Sequence, residues 1–418
     1  MFESMVWNLL PLDPLLPEKI AAQTREFTRY DVADGDPETN QDIAELSTIR
    51  APLPPPKQPK VFLSSDCRFN CSYCGCRASQ CGNRFTHSPA EMAEIAVNTA
   101  LDHPHHGVFI TSAVYRNADY TEELIVETLR RMRFKHHYTG YIHAKIMPGA
   151  DPALIEEAGW LADRLSVNIE LPHSDGYAVI AKQKTRRNIL EPMENISRKI
   201  REHQGERNQY GRPFARAGQT TQLIVGAMGE NDRTSLRLAE ALYKKYRLRR
   251  VYYSPFHLHK PGEFDFFPEQ STPTWRTRRL YQADRLMQLY SFTMEELTPE
   301  DAPDMQMDLD PKAAWALRHR ELFPVELNRA DYEMLLRVPG LGVTSAQKII
   351  RARRQQTLTF DLLRQLRVPL SRARYFVTCG GKIWGAQWLD SLNLRQMVAD
   401  RSLQMSLFDQ TFPPHSSQ

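Results

Sequence analysis

VFLSSDCRFNCSYC, residues 61–74, decides how the chain is read: a short β-prone run passes into a loop carrying Cys67, Cys71 and Cys74. Outward from it, strand-like runs recur at GVFITSA (107–113), YIHAKIM (141–147), LSVNIEL (165–171), TTQLIVGA (220–227) and RRVYYS (249–254). Helical segments separate them. Ser88, Pro89 and Glu91 predict an N-cap, first turn and capping box for a helix through about Leu101, and further starts are expected at Thr121, Asp151-Pro152 and Asp232. Six strands alternating with helices predict βαβ units, a parallel sheet and right-handed crossovers. Two α/β architectures satisfy this, an open doubly wound sheet and a partial barrel. In both, ligands bind at the carboxyl ends of the strands, where the cysteine loop lies.

The spacing Cys67-x3-Cys71-x2-Cys74 lets three thiolates converge only if the loop wraps one centre. Thiolates select iron–sulfur clusters, zinc or copper(I). Three ligands on a four-iron cluster leave one iron open to an external ligand, whereas structural zinc wants a fourth protein ligand, which Cys76, Cys81 or His87 could supply. Structural disulfides are not expected, because nothing marks the chain as exported.

Composition bounds the rest. The chain has 418 residues, net charge +4 and six cysteines, five of them between Cys67 and Cys81. That length suits two or three folding units. No run approaches a membrane span, and the start MFESMVWNLLPLDPLLPEK lacks the pattern of a secretory signal, so a cytoplasmic address and no membrane partner are expected. Residues 312–389 hold 14 Lys+Arg against 5 Asp+Glu, or +9, which leaves −5 for the remainder. The expected organisation is an N-terminal helical segment and Pro-rich linker (1–60, with APLPPPKQPK at 51–60), the α/β body (61–260), a packing segment (261–325), a basic all-α region (326–389) and a tail (390–418). One amphipathic helix is expected near 275–292 and another from Asn328 through Leu336. His103, His105 and His106 read as a surface turn, and Cys379 as a core thiol.

A C-x3-C-x-aromatic-C loop after the first strand of a βα repeat resembles the radical S-adenosylmethionine (radical SAM) superfamily. The likeness extends over about residues 60–385 to a family of DNA modification or repair radical SAM proteins whose genes lie beside a uracil-DNA-glycosylase-like partner. It is carried by FITSAVYRNADYT (109–121), GYIHAKIMPGADPALIEEAG (140–159), LADRLSVNIELP (161–172), AGQTTQLIVGAMGENDRTSL (217–236), RVYYS (250–254), LDPKAAWALRH (309–319) and ADYEMLLRVPGLG (330–342). The resemblance implies a partial (β/α)6 barrel in which Cys67, Cys71 and Cys74 bind a [4Fe–4S] cluster and S-adenosylmethionine (SAM) chelates the fourth iron. It implies reductive cleavage of SAM, by an electron donor, to a 5′-deoxyadenosyl radical. By position, Tyr73 would face the adenine and the turn at Thr111 and Ser112 the methionyl amine, although Thr-Ser-Ala stands where Ser-Ser-Gly is usual. Asn168 and Glu170 would hold the ribose, and Gly226, Gly229 and Glu230 would accommodate adenosine or substrate. Lys145 would bind the SAM carboxylate or pair with an acid. Cys76 and Cys81 read as extra thiols beside the cluster, either spectators or groups with a redox or auxiliary-ligand role.

LLRVPGLGVTSAQKIIRARR (335–354) resembles the helix–hairpin–helix motif of DNA repair proteins. Gly340 and Gly342 would let backbone approach a phosphate at a helix N-terminus, while Lys348, Arg351, Arg353 and Arg354 add charge. A degenerate second copy follows at FDLLRQL (360–366) and SRARYFV (371–377). In the tail, QMSLF (404–408) is similar to the pentapeptide by which bacterial proteins dock on the sliding clamp, with Gln404 fixing register and Leu407 and Phe408 entering an apolar pocket. The reading that follows is a radical SAM enzyme acting on duplex DNA. The alternatives are a non-catalytic metal or Fe–S DNA-binding adaptor tethered to the clamp, and a radical SAM enzyme acting on RNA.

Overall fold

The structure, a computed structural model, describes residues 58–80, 82–102, 107–257, 271–384 and 393–399. Cys81, the three histidines at 103–106, most of the N-terminal segment and the clamp-like motif lie outside them. Six strands, β1 (Lys60–Phe62), β2 (Val108–Thr111), β3 (Ile142–Lys145), β4 (Arg164–Ser166), β5 (Gln219–Val225) and β6 (Arg250–Pro255), form one sheet in the order 1-2-3-4-5-6. The crossovers between them run through helices α1 (Pro89–Asp102), α2 (Ala118–Arg130), α3 (Pro152–Leu161), α4 (Ser174–Ile180), α5 (Arg186–Glu202) and α6 (Asp232–Tyr246). An order that never reverses has no switch point. With right-handed crossovers every helix then falls on one face, which is the singly wound topology of a partial barrel and not a doubly wound sheet.

The two faces of the sheet differ as this requires. Val61, Leu63, Val108, Ile110, Ile142, Ala144, Ile146, Leu165 and Val167 are buried and apolar on one face. The alternate positions Lys60, Phe109, Thr111, His143, Lys145, Arg164, Ser166, Thr220 and Gln222 point to the other. Contacts across strands fix that assignment: Lys60 lies over the Phe109 ring at 5.3 Å, Phe109 stacks on His143 at 4.1 Å, and Asn168 Nδ2 donates to Gln222 Oε1 at 3.4 Å.

Local signals mostly hold. Glu91 and Ser88 close the expected capping box, with Ser88 N–H donating to Glu91 Oε2 at 2.8 Å and Glu91 N–H to Ser88 Oγ at 3.3 Å. Asp151 caps α3. Helix α2 starts three residues before the expected Thr121, because the Asn117 side chain accepts from Tyr120 N–H and takes the cap. Strand β4 ends at Ser166, earlier than expected: Thr221 Oγ1 donates to Val167 O at 2.7 Å and accepts from Ile169 N–H at 2.8 Å, replacing ladder bonds with a side chain.

The described chain divides into two compact units, the first comprising 58–222 and 246–252, the second 223–245, 253–384 and 393–399. In the second, α7 (Thr274–Leu289) is the helix expected near 275–292, but it is not amphipathic as expected, since it buries Arg278, Arg279 and Asp284 along with Leu280, Ala283 and Leu286. Helices α8 (Met294–Leu297), α9 (Pro311–Arg318), α10 (Tyr332–Arg337), α11 (Val343–Arg353), α12 (Phe360–Gln365) and α13 (Leu394–Val398) follow. This region is not all-α. Strands β7 (Val325–Glu326), β8 (Val377–Cys379) and β9 (Lys382–Ile383) form a second sheet, in which Gly380 and Gly381, both at positive φ, make a two-residue hairpin turn. SRARYFV therefore ends in a strand, with only a 3₁₀ turn at Ala373–Tyr375. Asp331, not Asn328, caps α10; Asn328 is drawn away because its Oδ1 accepts from Leu358 N–H at 2.7 Å and its amide donates to Glu326. Among the described residues no helix is long and apolar enough to cross a membrane.

Candidate metal and cofactor centre

The cysteine loop leaves the carboxyl end of β1 and is closed by the segment that returns to α1. Ser65 N–H donates to Phe85 O at 3.0 Å and His87 N–H to Leu63 O at 2.9 Å. Inside the loop, Cys74 N–H reaches Cys71 O at 3.0 Å and Ala78 N–H reaches Phe69 O at 2.9 Å, while Ser72 N–H ties the loop to the end of α4 through Ile180 O at 2.8 Å. The Arg84 guanidinium acts as a clamp, donating to the carbonyls of Ser65 (3.1 Å), Arg77 (2.7 Å), Ala78 (3.2 Å) and Gln80 (3.1 Å). Its planar fork suits several acceptors at once, which a lysine could not hold.

Cys71 is buried and Cys67 and Cys74 are half-buried. Two sulfurs receive backbone N–H groups at 3.4 Å, Cys67 from Phe69 and Cys74 from Cys76. Such donors stabilise thiolate and tune a bound centre. Burial pushes the Cys71 thiol up to about 11, against the pull of Lys184. A hydrogen bond from the Cys76 side chain draws Cys74 down to about 6. Cys76 is thus placed against Cys74 and not apart from it.

Lys184, in the turn between α4 and α5, carried no sequence signal: it is one of four cations in AKQKTRR (181–187), and nothing local distinguishes it from Lys182, Arg186 or Arg187. Its ammonium donates to Glu170 Oε1 at 2.6 Å and Tyr73 OH at 3.2 Å, and lies 5.7 Å from the centre of the Tyr73 ring. Both partners of the ion pair are largely covered, with side-chain exposures of 12% and 6%. Burial works against the Lys184 charge, but Glu170, Tyr73 and Cys71 overcome it and hold the ammonium well above the usual lysine range. Glu170 sits at φ +60, and its N–H donates to Gln222 O at 3.0 Å. Tyr73, Glu170 and Lys184 thus converge beside the cysteine loop.

The other expected residues are placed differently. Ser112 Oγ donates to Ala113 O at 2.7 Å. Asn168 pairs with Gln222 beyond the end of β4. Lys145, at the end of β3, has no ion pair among the described residues. In the second unit, the space a side chain at Gly226 would need is filled by Thr272, whose Oγ1 would lie 2.0 Å from a Cβ there. Both Glu230 carboxylate oxygens are engaged within their own loop, by Gly226 N–H and by Met228 N–H at 3.2 Å. A cleft of about 320 Å³ beside them is lined by Gly229, Glu230, Asn231, Asp232, Trp275, Arg276 and Asp304.

The hairpin between α10 and α11 holds Gly340 at φ +84, with Gly342 buried at the N-terminus of α11. Its cations sort into two kinds. Lys348 Nζ donates to Leu366 O at 2.9 Å, and Arg353 to the carbonyls of Leu327 (3.2 Å) and Ala330, so these two brace the fold. Arg351 and Arg354 are exposed.

Residues 61–242 match the family model described as the radical SAM superfamily. No curated protein matches the chain. Two structures of HydG, a maturase of the [FeFe]-hydrogenase, one of them from Carboxydothermus hydrogenoformans, align over 65% of this chain and 64% of theirs, at 13% and 14% identity, with TM-scores of 0.41 and 0.42. The chain therefore spans less than two thirds of the length of these structures. TsrM from Kitasatospora setae, a radical S-adenosylmethionine methyltransferase solved with cobalamin and a [4Fe–4S] cluster bound, aligns over 54% of this chain and 40% of its own at 13% identity and a TM-score of 0.35.

Among the described residues no three His, Cys, Asp or Glu side chains converge as ligands of a single metal ion. The donor set suits a cluster, in which each sulfur binds a different iron: three thiols on one clamped loop, in mutual electrostatic reach, with N–H groups aimed at two of them. Residues 61–242 are a radical SAM domain, of an enzyme superfamily that uses a [4Fe–4S] cluster and SAM.

Proposed function

We propose that the protein is a radical SAM enzyme acting on DNA, in modification or repair. The observation that carries the catalytic part is the Cys67-Cys71-Cys74 loop, clamped by Arg84 at the carboxyl end of β1 within the matched domain. When bound, the cluster and SAM supply a 5′-deoxyadenosyl radical for hydrogen-atom abstraction. The chain's own task is placement. Arg84 holds the loop's carbonyls, so the three thiols are presented before any iron arrives. Lys184 pairs with Glu170 and reaches Tyr73, which sets a carboxylate for ribose hydroxyls beside an aromatic face for adenine. Ser112 and Asn168 border the same end of the sheet.

The DNA part rests on the Gly340 and Gly342 turn and the exposed Arg351 and Arg354, which suit phosphate contacts that position a protein without reading sequence. The sliding clamp, through Gln404, Leu407 and Phe408, a uracil-DNA-glycosylase-like protein and an electron donor complete the proposed partners. Anaerobic reconstitution with iron, sulfide, dithionite and SAM should yield 5′-deoxyadenosine; none formed by iron-loaded protein would sink the enzymatic reading. Duplex binding that weakens steeply with salt should appear in fluorescence anisotropy, and tighter binding to tRNA than to duplex DNA would redirect the substrate to RNA.

A further inference from the structure

The amino-terminal edge of the large sheet, opposite the cysteine loop, gathers positive charge. In the first unit, the segments that lead into β3 to β6 (131–141, 163–164, 203–218 and 247–252) hold 10 Lys+Arg against 2 Asp+Glu, or +8. The chain outside 312–389 carries −5, so this edge runs against its surroundings. Nine of the ten cations are arginines. Of the two acids, Asp163 lies buried under three guanidiniums, from Arg133 at 3.0 Å, Arg216 at 2.6 Å and Arg212 at 3.4 Å, and offsets the charge of one. Glu206 contacts His203 Nδ1 at 2.7 Å, and Arg131 pairs at 2.8 Å with Glu127, outside these segments. A large excess of positive charge remains.

Aromatic rings are interleaved with these cations. Arg164 lies 5.9 Å from the centre of the Tyr141 ring and Arg250 5.3 Å from that of Tyr252, and Tyr141 is in electrostatic reach of Arg164, Tyr252 and Arg216. Phe134 and Tyr210, with ring centres 4.6 Å apart, are 40% and 58% exposed. Asn208 ties this pair to the charge, since its Oδ1 accepts from Tyr210 N–H and Arg212 N–H, both at 3.0 Å. Arg216 is 57% exposed. Arg249 is also exposed, and its stem fills the space a side chain at Gly218 would need, Cγ lying 2.7 Å from a Cβ there.

Like charges held together repel, and a polyanion relieves that cost. Arginine over lysine favours phosphate, which the planar fork takes bidentately. A duplex hides the faces of its bases, whereas a single strand offers them to exposed rings. We infer that this edge is a second nucleic-acid face, built for a single strand, with phosphates on Arg216 and Arg249 and a base on the Phe134–Tyr210 pair. It rests on the nucleic-acid part of the reading above and adds a contact on the edge of the sheet opposite the cysteine loop.

The test is fluorescence anisotropy of the full-length protein with labelled oligothymidylate and oligouridylate of about 20 nucleotides and a duplex of the same length, across a salt series. Oligothymidylate should bind, more weakly as salt rises. R216Q/R249Q should lower the slope of log affinity against log salt by about 1.4, or about 0.7 for each phosphate released from a single strand. F134A/Y210A should weaken binding about tenfold and leave that slope unchanged. Arg133 and Arg212 still hold Asp163 in the first variant, and thermal unfolding checks that both fold; the aromatic pair keeps the test decisive if the arginine pair does not. No oligothymidylate binding by wild type, or equal affinity in wild type and the folded variants, overturns the face. So does competition by polyglutamate or phosphatidylglycerol vesicles, at equal charge, as strong as by unlabelled oligothymidylate. Tighter binding of oligouridylate that both variants weaken supports the face and makes its strand RNA. Duplex binding lost in R351A/R354A, with both variants of this edge unchanged on every probe, rejects the face and leaves the DNA reading intact. Single-strand binding that both variants weaken, with no duplex binding by wild type, supports the face and rejects the duplex reading.

Discussion

Lys184 is the cation on which the candidate centre turns, since its ammonium alone bridges Glu170 and Tyr73. Removing one partner of a covered ion pair strands the other charge, so K184M should cost about 3 kcal/mol in urea unfolding. K184M/E170Q should recover much of that loss, because neither charge then remains. Additive single and double losses would show that the pair is not coupled. Glu122 offers a second residue-scale test. It is fully buried on α2, its Oε2 accepts from Met147 N–H at 2.8 Å, and its other oxygen has no partner. Burial pushes its carboxyl up to about 8, against the Met147 bond that lowers it. The folded state thus keeps a proton that the unfolded state releases above about pH 4.3, and stability falls as pH rises from there to about 8. E122Q keeps an acceptor for Met147 and removes the titration. Its stability should match wild type near pH 4 and exceed it by a few kcal/mol near pH 8; a pH-independent gap would rule this out.

At the scale of elements, the small sheet of the second unit is organised around one carboxylate. Glu326, on β7, accepts from Gly380 N–H (3.0 Å) and Gly381 N–H (2.9 Å) at the hairpin turn, from Asn328 N–H (3.0 Å) and amide (2.9 Å), and from Thr378 Oγ1 (3.0 Å). Burial raises its pKa, but the N–H groups of Gly381, Asn328 and Gly380 outweigh this and hold the carboxyl at about 2. A depressed carboxylate stabilises above its unfolded pKa, near 4.3, and that contribution is lost as pH falls toward 2. E326Q should therefore lower stability at pH 7 by about 1–2 kcal/mol after allowance for solvent screening, with the gap narrowing between pH 4 and 2. This sheet was not legible in the sequence, because strands of two or three residues carry no periodicity and Glu326 is one acid among many. The large sheet was legible, since its strands are apolar runs at regular spacing with Pro and Asp punctuation. The cysteine loop was legible for a different reason: its chemistry is local in sequence. Lys184 and Arg84 reach that loop only through folded backbone, so nothing in their sequence surroundings announced them.

For the molecule as a whole, the +9 of residues 312–389 overstates the charge available to a partner. Lys312 donates to Leu341 O, Arg318 to Glu296 O, Lys348 to Leu366 O and Arg353 to Ala330 O, while Arg337 pairs with Glu296 and Arg372 with Asp310. Arg364 pairs with Asp361, while Arg329, Arg351, Arg354, Arg367 and Lys382 are exposed and make none of these bonds. The two classes predict different losses. R351A/R354A removes exposed charge from the end of α11 and should weaken duplex binding while reducing the slope of log affinity against log salt by about 2, one for each phosphate contact released. Thermal stability should stay within about 0.5 kcal/mol of wild type, as for surface substitutions elsewhere. K348M and R353M act through the bracing of the hairpin instead, lowering stability first and affinity only as the hairpin loosens. Anisotropy titrations from 50 to 300 mM salt, paired with urea unfolding, separate the classes. An unchanged salt slope in R351A/R354A would remove the α10–α11 hairpin from the proposed DNA contact and shift the search to Arg329, Arg367 and Lys382.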